Sequence, residues 1–284
     1  MLRIKRKTAK NIIYWSCVAT LGIIVLLCVS VIAEKAITDK QDKDNWDSIV
    51  AQKESMAADV TRPPIPDEPI IVPDEPETPD APTRPTEPIV ESDILFEYRA
   101  FYELNSDMVG WIKIEGTNVN YPVMQTPNQR DFYLRRDFEK KDATCGSIYA
   151  REECDINRPS DNVVLYGHNM GNGTMFGDLH KYKDKSFWEN NKYVFFDTLT
   201  EYHTYEIFAV FTTSADMGQG FSYHLFNDTN DAAKFDKFVN TCLKLSFYDT
   251  DIQPKYGEKL LTLSTCNKSD DYNGRLVVVC RRLV

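Results

Sequence analysis

The sequence predicts a mostly β fold with helical additions, in which eight short strands form a closed or nearly closed barrel. Three observations support this prediction. An uncharged apolar run lies near the N-terminus, a proline-rich tract follows it, and the rest of the 284-residue chain is a series of short β-prone runs separated by turn residues. Two helical insertions interrupt that series. We therefore expect a membrane-attached chain with one globular domain.

The N-terminal segment has the composition of a membrane anchor. Residues 1–10 carry five basic side chains and no acidic one, and residues 11–33 carry no charge. An apolar helix of about 20 residues is long enough to cross a bilayer. Basic residues on its N-terminal side place residues 1–10 in the cytoplasm as a tail and everything after Glu34 outside, so the chain is predicted to be a single-pass protein of the cell membrane.

A cleaved signal peptide is the alternative explanation of this segment. Val31-Ile32-Ala33 resembles a small-residue cleavage site. The apolar run is, however, longer than the roughly 7–15 residues of a signal sequence. For that reason we favour an anchor over residues 11–33.

Residues 34–92 are predicted to be a stalk followed by a spacer rich in Pro, Asp and Glu. Ten of the 14 prolines lie between Thr61 and Ser92. Such a tract is stiffened toward polyproline II and cannot bury a core. Fully extended at about 3.1 Å per residue, it would reach on the order of 100 Å. We expect it to hold the following domain away from the membrane, and the alternative is a ligand for a proline-binding module.

The globular domain is predicted over residues 93–284. Apolar side chains between Ile94 and Leu104 repeat every three to four residues, which predicts a helix. Lys183–Asn191 is predicted as a short helix, and Asp231–Leu245 as a long amphipathic one that packs on the barrel. The eight predicted strands are Met108–Ile114, Asn118–Val123, Gly146–Arg151, Asn162–His168, Tyr193–Asp197, Tyr202–Thr212, Lys259–Cys266 and Arg275–Leu283.

Composition excludes several classes of function. The net charge of −10 argues against nucleic acid as a partner. Seven cysteines are too few for a disulfide scaffold, and no two of them have CxxC spacing, so we predict no zinc site of that kind. We predict no metal and no cofactor. Five cysteines lie outside the apolar run, an odd number, so at least one thiol is unpaired in a monomer.

Three strand ends carry residues suited to cysteine chemistry. One strand ends at Cys266, the next begins at Arg275, and a third ends at His168. A thiol activated as thiolate, an imidazole and a permanent cation are the groups that cysteine acyl transfer requires. The alternative for a strand cysteine is a small buried apolar side chain, which we assign to Cys280. His180, His203 and His224 occupy less suggestive positions.

These residues carry a resemblance to a known family. His168 in Tyr-Gly-His-Asn-Met, Cys266 in Thr-Leu-Ser-Thr-Cys and Arg275 before Leu-Val-Val-Val resemble the sortases, specifically class B. The resemblance covers residues 93–284 and implies an eight-stranded β-barrel with an N-terminal helix and a long helix before the cysteine strand. It also implies a membrane-anchored cysteine transpeptidase. The proline-rich spacer is not part of the family pattern.

The resemblance also implies roles for individual residues. Cys266 would attack the threonine carbonyl of an Asn-Pro-x-Thr-like sorting motif at the C-terminus of secreted proteins. Arg275 would hold the oxyanion, and His168 would protonate the leaving amine. An amine from a peptidoglycan precursor or a pilin lysine would then take the acyl group. By similarity, the motif pocket would be lined by Leu134, Tyr166, Tyr223, Ser264 and Thr265.

Two other functions remain compatible with the sequence. A surface cysteine peptidase would use the same residues but release the acyl group to water. A non-catalytic, membrane-tethered peptide-binding module would use the barrel groove without turnover. A covalent adduct with a sorting peptide separates enzyme from binder, and an amine-linked product separates transpeptidase from peptidase.

Overall fold

The computed structural model describes residues 2–58, 60–66, 93–215, 218–267 and 273–283, with side chains from Tyr14 onward. The chain divides into two units, Met1–Asp47 and Ser48–Val284. A single helix, α1 (Leu2–Met56), includes the predicted anchor and stalk. Its apolar part is long enough, by length and composition, to cross a membrane. Most of the predicted spacer, residues 67–92, lies outside the described residues.

Eight strands form a closed barrel, which confirms the predicted fold class. Their order around the barrel is β1-β2-β3-β4-β7-β8-β6-β5, and β5 pairs with β1 to close it. Two of the neighbouring pairs, β2 with β3 and β4 with β7, are parallel. The strands are β1 (Met108–Lys113), β2 (Asn120–Met124), β3 (Ile148–Ala150), β4 (Asn162–Tyr166), β5 (Tyr193–Thr198), β6 (Thr204–Ser214), β7 (Leu260–Cys266) and β8 (Gly274–Arg282).

The predicted helices are also present, and aspartates begin two of them. They are α2 (Phe96–Leu104), α3 (Lys185–Asn190) and α4 (Ala232–Leu245). Asp184 caps α3 by accepting from a backbone N–H, and Asp231 caps α4 in the same way. The buried side chains of α4 include Phe235 and Phe238, so its apolar face packs inward as its pattern predicted.

One boundary differs from the prediction in a way that matters for the site. Strand β4 ends at Tyr166, so His168 lies two residues beyond the strand rather than at its last position. The ladder continues through Gly167, whose N–H donates to the Ser264 carbonyl at 3.2 Å. His168 therefore begins the turn that follows β4.

Residues of the predicted stalk and spacer pack on the barrel, which the sequence did not suggest. The Lys53 ammonium lies 5.6 Å from the centre of the Trp111 ring. The Arg62 guanidinium lies 4.6 Å from the Phe195 ring and pairs with the carboxylate of Asp197. The compact unit that contains the barrel comprises Ser48–Val284.

Both ends of the proline-rich segment meet at one carboxylate. Asp197, only 2% exposed, accepts from Arg62 on one side and from the Tyr98 hydroxyl at 2.7 Å on the other. Arg62 precedes the segment, and Tyr98 follows it in α2. A segment with both ends on one surface of the barrel cannot separate the barrel from the chain that precedes Arg62. The arrangement therefore differs from the prediction that an extended segment would hold the barrel about 100 Å from the preceding chain.

Candidate active site

Cys266 and Arg275 lie directly opposite each other in the antiparallel pair of β7 and β8. Opposed residues point to the same face, with Cβ atoms about 4.5–5.5 Å apart. Cys266 is exposed at the end of β7, and Arg275 is half-buried near the start of β8. Arg275 Nη1 donates to the Gly274 carbonyl at 3.1 Å, which uses one of five guanidinium donors. The structure therefore brings these two predicted residues together at one end of the barrel.

His168 reaches the same end of the barrel because β4 and β7 are parallel. Tyr166 pairs with Ser264, so β4 and β7 both end at this end of the barrel. His168 Nε2 lies 2.7 Å from the Leu134 carbonyl oxygen. A carbonyl only accepts hydrogen bonds, so Nε2 carries the hydrogen and Nδ1 of the neutral ring is the basic nitrogen. This contact fixes the ring and defines its tautomer.

Three of the predicted pocket residues lie together beside Cys266. Ser264 shares a strand face with Cys266, two residues away. Its Oγ is 2.6 Å from the Tyr223 hydroxyl, and Tyr166 is its partner on β4. Burial raises the pKa of both tyrosine phenols, so they stay neutral hydrogen-bonding groups. Leu134, 37% exposed, joins them through its contact with His168.

Thr265 lies apart from these pocket residues. Adjacent residues of a strand point to opposite faces, so a neighbour of Cys266 cannot share its face. Thr265 is 2% exposed, and its hydroxyl donates to the Gly167 carbonyl at 2.8 Å. Its observed contact joins β7 to the end of β4.

Two residues that the sequence reasoning missed contact the backbone of the cysteine. Asn169 Nδ2 donates to the Cys266 carbonyl at 2.7 Å. The same Nδ2 lies 2.8 Å from Nε2 of His180, which is 3.3 Å from the Cys266 carbonyl. Because the amide Nδ2 is a donor, His180 Nε2 is the acceptor in this arrangement, and its approach to the Cys266 carbonyl is a contact between two acceptors, not a hydrogen bond. The only sequence signal was the position of Asn169 directly after His168 in a Gly/Asn-rich turn.

Comparison with known proteins identifies the family. The model of the sortase domain matches residues 112–283, which is more than half of the chain. The chain belongs to the sortase family. Among curated sortases it is 33% identical over 192 residues to sortase B of Listeria monocytogenes, covering 66% of this chain and 75% of that protein. It is 28% identical over 188 residues to sortase B of Staphylococcus aureus, with the same coverage of each.

Solved structures place this sortase in class B. The structure of a Staphylococcus aureus sortase B–substrate complex matches with a TM-score of 0.69 and 24% identity, covering 87% of this chain and 98% of that chain. A mutant form of Clostridium perfringens sortase B matches with a TM-score of 0.60 and 32% identity, covering 66% and 87%. The protein is thus a class B sortase, an enzyme of the cysteine transpeptidase type.

Proposed function

We propose that this sortase cleaves a C-terminal sorting motif of secreted proteins after threonine and joins the new acyl group to a cell-surface amine. The observation that carries the proposal is the direct opposition of Cys266 and Arg275 at an exposed strand end. A nucleophile and a permanent hydrogen-bond donor on one face suit attack on a carbonyl. The fold and the family membership supply the reaction class.

The first half-reaction forms a thioester. The Cys266 thiolate adds to the threonine carbonyl, and the negative charge moves to the carbonyl oxygen, where Arg275 donates hydrogen bonds. The C–N bond then breaks, and protonated His168 gives its proton to the leaving amine. Nδ1 is the nitrogen suited to this transfer, because Nε2–H is held by the Leu134 carbonyl.

The pocket residues support recognition of an Asn-Pro-x-Thr-like motif. Tyr166, Tyr223 and Ser264 lie beside the cysteine, where the buried Tyr223 and Ser264 hydroxyls bond to each other, and the partly exposed Leu134 adds an apolar surface. Hydroxyls both donate and accept, which suits amide side chains and peptide groups. Thr265 would act indirectly by joining β7 to β4.

The second half-reaction releases the acyl group to an amine. The neutral amine attacks the thioester carbon, a C–N bond forms, the C–S bond breaks with its electrons on sulfur, and His168 accepts the amine proton. Peptidoglycan precursors and pilin lysines are the two sources of the amine that we consider. Water in place of the amine would make the enzyme a peptidase.

A covalent adduct tests the proposal. The protein is incubated with an Asn-Pro-x-Thr peptide, and intact mass is measured with and without a primary amine. We expect an acyl adduct on Cys266 that the amine converts to an amine-linked peptide. The Cys280→Ala variant should behave in the same way, since that thiol is fully buried. Binding without any adduct would favour the tethered binding module, and free acid alone would favour the peptidase.

We further propose that the enzyme acts at the outer face of the cell membrane. The apolar part of α1 supports an anchor within residues 11–33, and the basic residues before it support a cytoplasmic N-terminus. Tethering would raise the effective concentration of sorted proteins as they emerge at that surface. N-terminal sequencing of protein from cells tests this assignment, because a start at Glu34 would mean that a signal peptide is removed.

A further inference from the structure

A groove leads away from Cys266 on the side that the predicted motif residues do not line. Two shallow, open depressions of about 630 and 710 Å³ adjoin at the 3₁₀ helix Gly177–Lys183 and share His180, Lys181 and Lys183. We call them together the lysine groove. One end of the groove is lined by Asn169 and Asn267. The other end, near α3, is lined by Lys185, Phe187 and Phe247, and Lys183 lies between the two ends.

The groove begins beside the nucleophile. Asn169 contacts the Cys266 carbonyl at 2.7 Å, and Asn267 is the next residue along the chain. Leu134, Tyr166, Tyr223 and Ser264 do not occur among its described lining residues. A second surface therefore adjoins the backbone of Cys266, separate from the surface assigned to the sorting motif.

The charge of the groove is opposite to that of the whole protein, whose net charge is −10. Its carboxylates are already engaged. Asp178 accepts from the backbone N–H and side chain of Asn118, at 2.9 and 3.0 Å, and from Lys181 at 3.0 Å. Asp184 accepts from the Ser186 N–H at 2.9 Å as the cap of α3. These hydrogen bonds do not neutralise the two aspartates, but three lysines (Lys181, Lys183 and Lys185) line the groove against them, so the net charge of its described ionisable side chains is positive.

Lys183 and Lys185 are the exposed sources of that charge. Lys183 Nζ donates to the Asn267 side-chain oxygen at 3.0 Å, which places an ammonium beside the residue that follows Cys266. An ammonium has three donors, and this contact uses one. Further along, Phe247 is 44% exposed and Phe187 is half-buried, which gives apolar surface for the carbon skeleton of a ligand.

We propose that the lysine groove binds the acceptor of the second half-reaction, and that this acceptor is a primary amine on a carrier with a free carboxylate. The inference rests on the proposed transpeptidase activity. The carboxylate would pair with Lys183 and Lys185, while the neutral amine reaches the thioester carbon. A C–N bond forms, the C–S bond breaks with its electron pair on Cys266, and the amine proton passes to His168. Amines on amino acids or short acidic peptides fit this groove better than uncharged ones.

The test compares two acceptors that differ only in charge. Nα-acetyl-lysine carries a carboxylate, and Nα-acetyl-lysinamide does not. With an Asn-Pro-x-Thr peptide as donor, the wild-type enzyme should use the carboxylate form with a kcat/KM about fivefold higher, the scale of a pair of exposed ion pairs. In the Lys183→Gln/Lys185→Gln variant that preference should fall to about one, while donor hydrolysis without an amine stays unchanged.

The control is Lys237→Gln, which removes an exposed lysine from α4, outside the groove. It should keep the wild-type preference for Nα-acetyl-lysine. Absence of the preference in wild type, or its persistence in the double variant, would overturn the inference while leaving transpeptidation intact. A wild-type enzyme that forms no acyl adduct would instead overturn the proposed function, and this inference with it.

Discussion

Cys266 and Arg275 are cross-strand partners, so the separation of their backbones is set by the barrel. Each is held in a ladder at the end of its strand. Beyond the pair, the Asn267 N–H donates to the Gly274 carbonyl at 2.8 Å. The two backbones are therefore held together on both sides of the Cys266–Arg275 pair.

Arg275→Lys should lose most activity although it keeps the charge. An ammonium lacks the planar fork that can donate to two acceptors at once. Losing one oxyanion donor costs about 2.7–4 kcal/mol in other enzymes, which is roughly 10²–10³-fold in kcat. Single-turnover thioester formation measures the loss. Arg281→Lys is the matched control, since Arg281 is on the same strand and pairs with Glu206. An Arg275→Lys rate within about threefold of wild type would exclude the oxyanion role.

Cys266→Ala should abolish both cleavage and transfer and leave the fold intact. The exposed thiol is the covalent route to the thioester, and its removal deletes little buried volume. Cys280→Ala is the counterpart, because that side chain is fully buried and burial raises the pKa of its thiol well above the usual value. We expect Cys280→Ala to lower stability modestly and to keep its activity. Measurement of peptide cleavage and thermal unfolding for both variants separates the roles, and near-wild-type turnover by Cys266→Ala would contradict the mechanism.

Asn169→Asp should slow acylation with little change in peptide affinity. The amide donates to the Cys266 carbonyl, whereas a carboxylate presents only acceptors to it. We expect kcat to fall about tenfold with KM nearly constant, because about 1.4 kcal/mol of positioning is lost from the nucleophile. Asn240→Asp, an exposed change of the same kind on α4, controls for the added charge. A rise in KM alone would indicate that Asn169 binds the peptide.

The strands were predictable because each is a short apolar run bounded by turn residues. All eight predicted runs overlap an observed strand, and α4 was recognised from its amphipathic spacing. Thr265 shows the limit of that approach. Its motif suggested a pocket residue, but alternation along β7 turns it to the face opposite Cys266. The resemblance to the family identified Thr265 by its position in the motif, whereas only the strand geometry shows which face of β7 its side chain occupies.

The missed contacts join residues far apart in the chain. Asn169 and His180 both contact the Cys266 carbonyl, although they precede Cys266 in the chain by 97 and 86 positions, respectively. Arg62 and Asp197 are 135 positions apart. Neither apolar periodicity nor composition contains information about such pairs. Each pair forms only because the closed barrel brings two distant parts of the chain together.

Glu258→Gln should change how stability depends on pH. Burial raises the pKa of this carboxyl, which is 2% exposed, above its usual value of about 4.3. The folded state then binds the proton more tightly than the unfolded state, so the free energy of unfolding falls as pH rises through the window between the two pKa values. The amide cannot titrate and should flatten this fall.

Urea unfolding of both proteins between pH 4 and pH 8 measures the effect. Gln keeps an oxygen for the Lys255 N–H, which now donates to Glu258 Oε1 at 3.1 Å. Glu189→Gln, exposed on α3, should leave the pH profile unchanged. If the free energy of unfolding depended on pH in the same way for wild type and Glu258→Gln, the Glu258 carboxyl would have the same pKa in the folded and unfolded states.

The docked segment before the proline-rich tract predicts where a stable soluble domain begins. A chain starting at Ser48 keeps Lys53 and Arg62, whereas one starting at Asp93 leaves Asp197 buried without its cation. Breaking a buried ion pair by removing one partner costs about 3–5 kcal/mol. We therefore expect the shorter chain to unfold at markedly lower urea concentration. Replacing residues 67–92 of the longer chain by a Gly/Ser segment of equal length should change little.

A second substitution distinguishes the loss of this ion pair from a general effect of truncation. Asp197→Asn removes the buried charge and keeps one oxygen, which can accept from the Tyr98 hydroxyl (2.7 Å in the wild type) while the bond from the His203 N–H (3.1 Å) is lost. In the chain starting at Asp93, this change should recover part of the lost stability, because no uncompensated carboxylate remains. In the chain starting at Ser48, the same change should destabilise, because Arg62 loses its partner. Equal effects in the two chains would mean that Arg62 and Asp197 are not energetically coupled, and the stability difference would then come from the other contacts of residues 48–66.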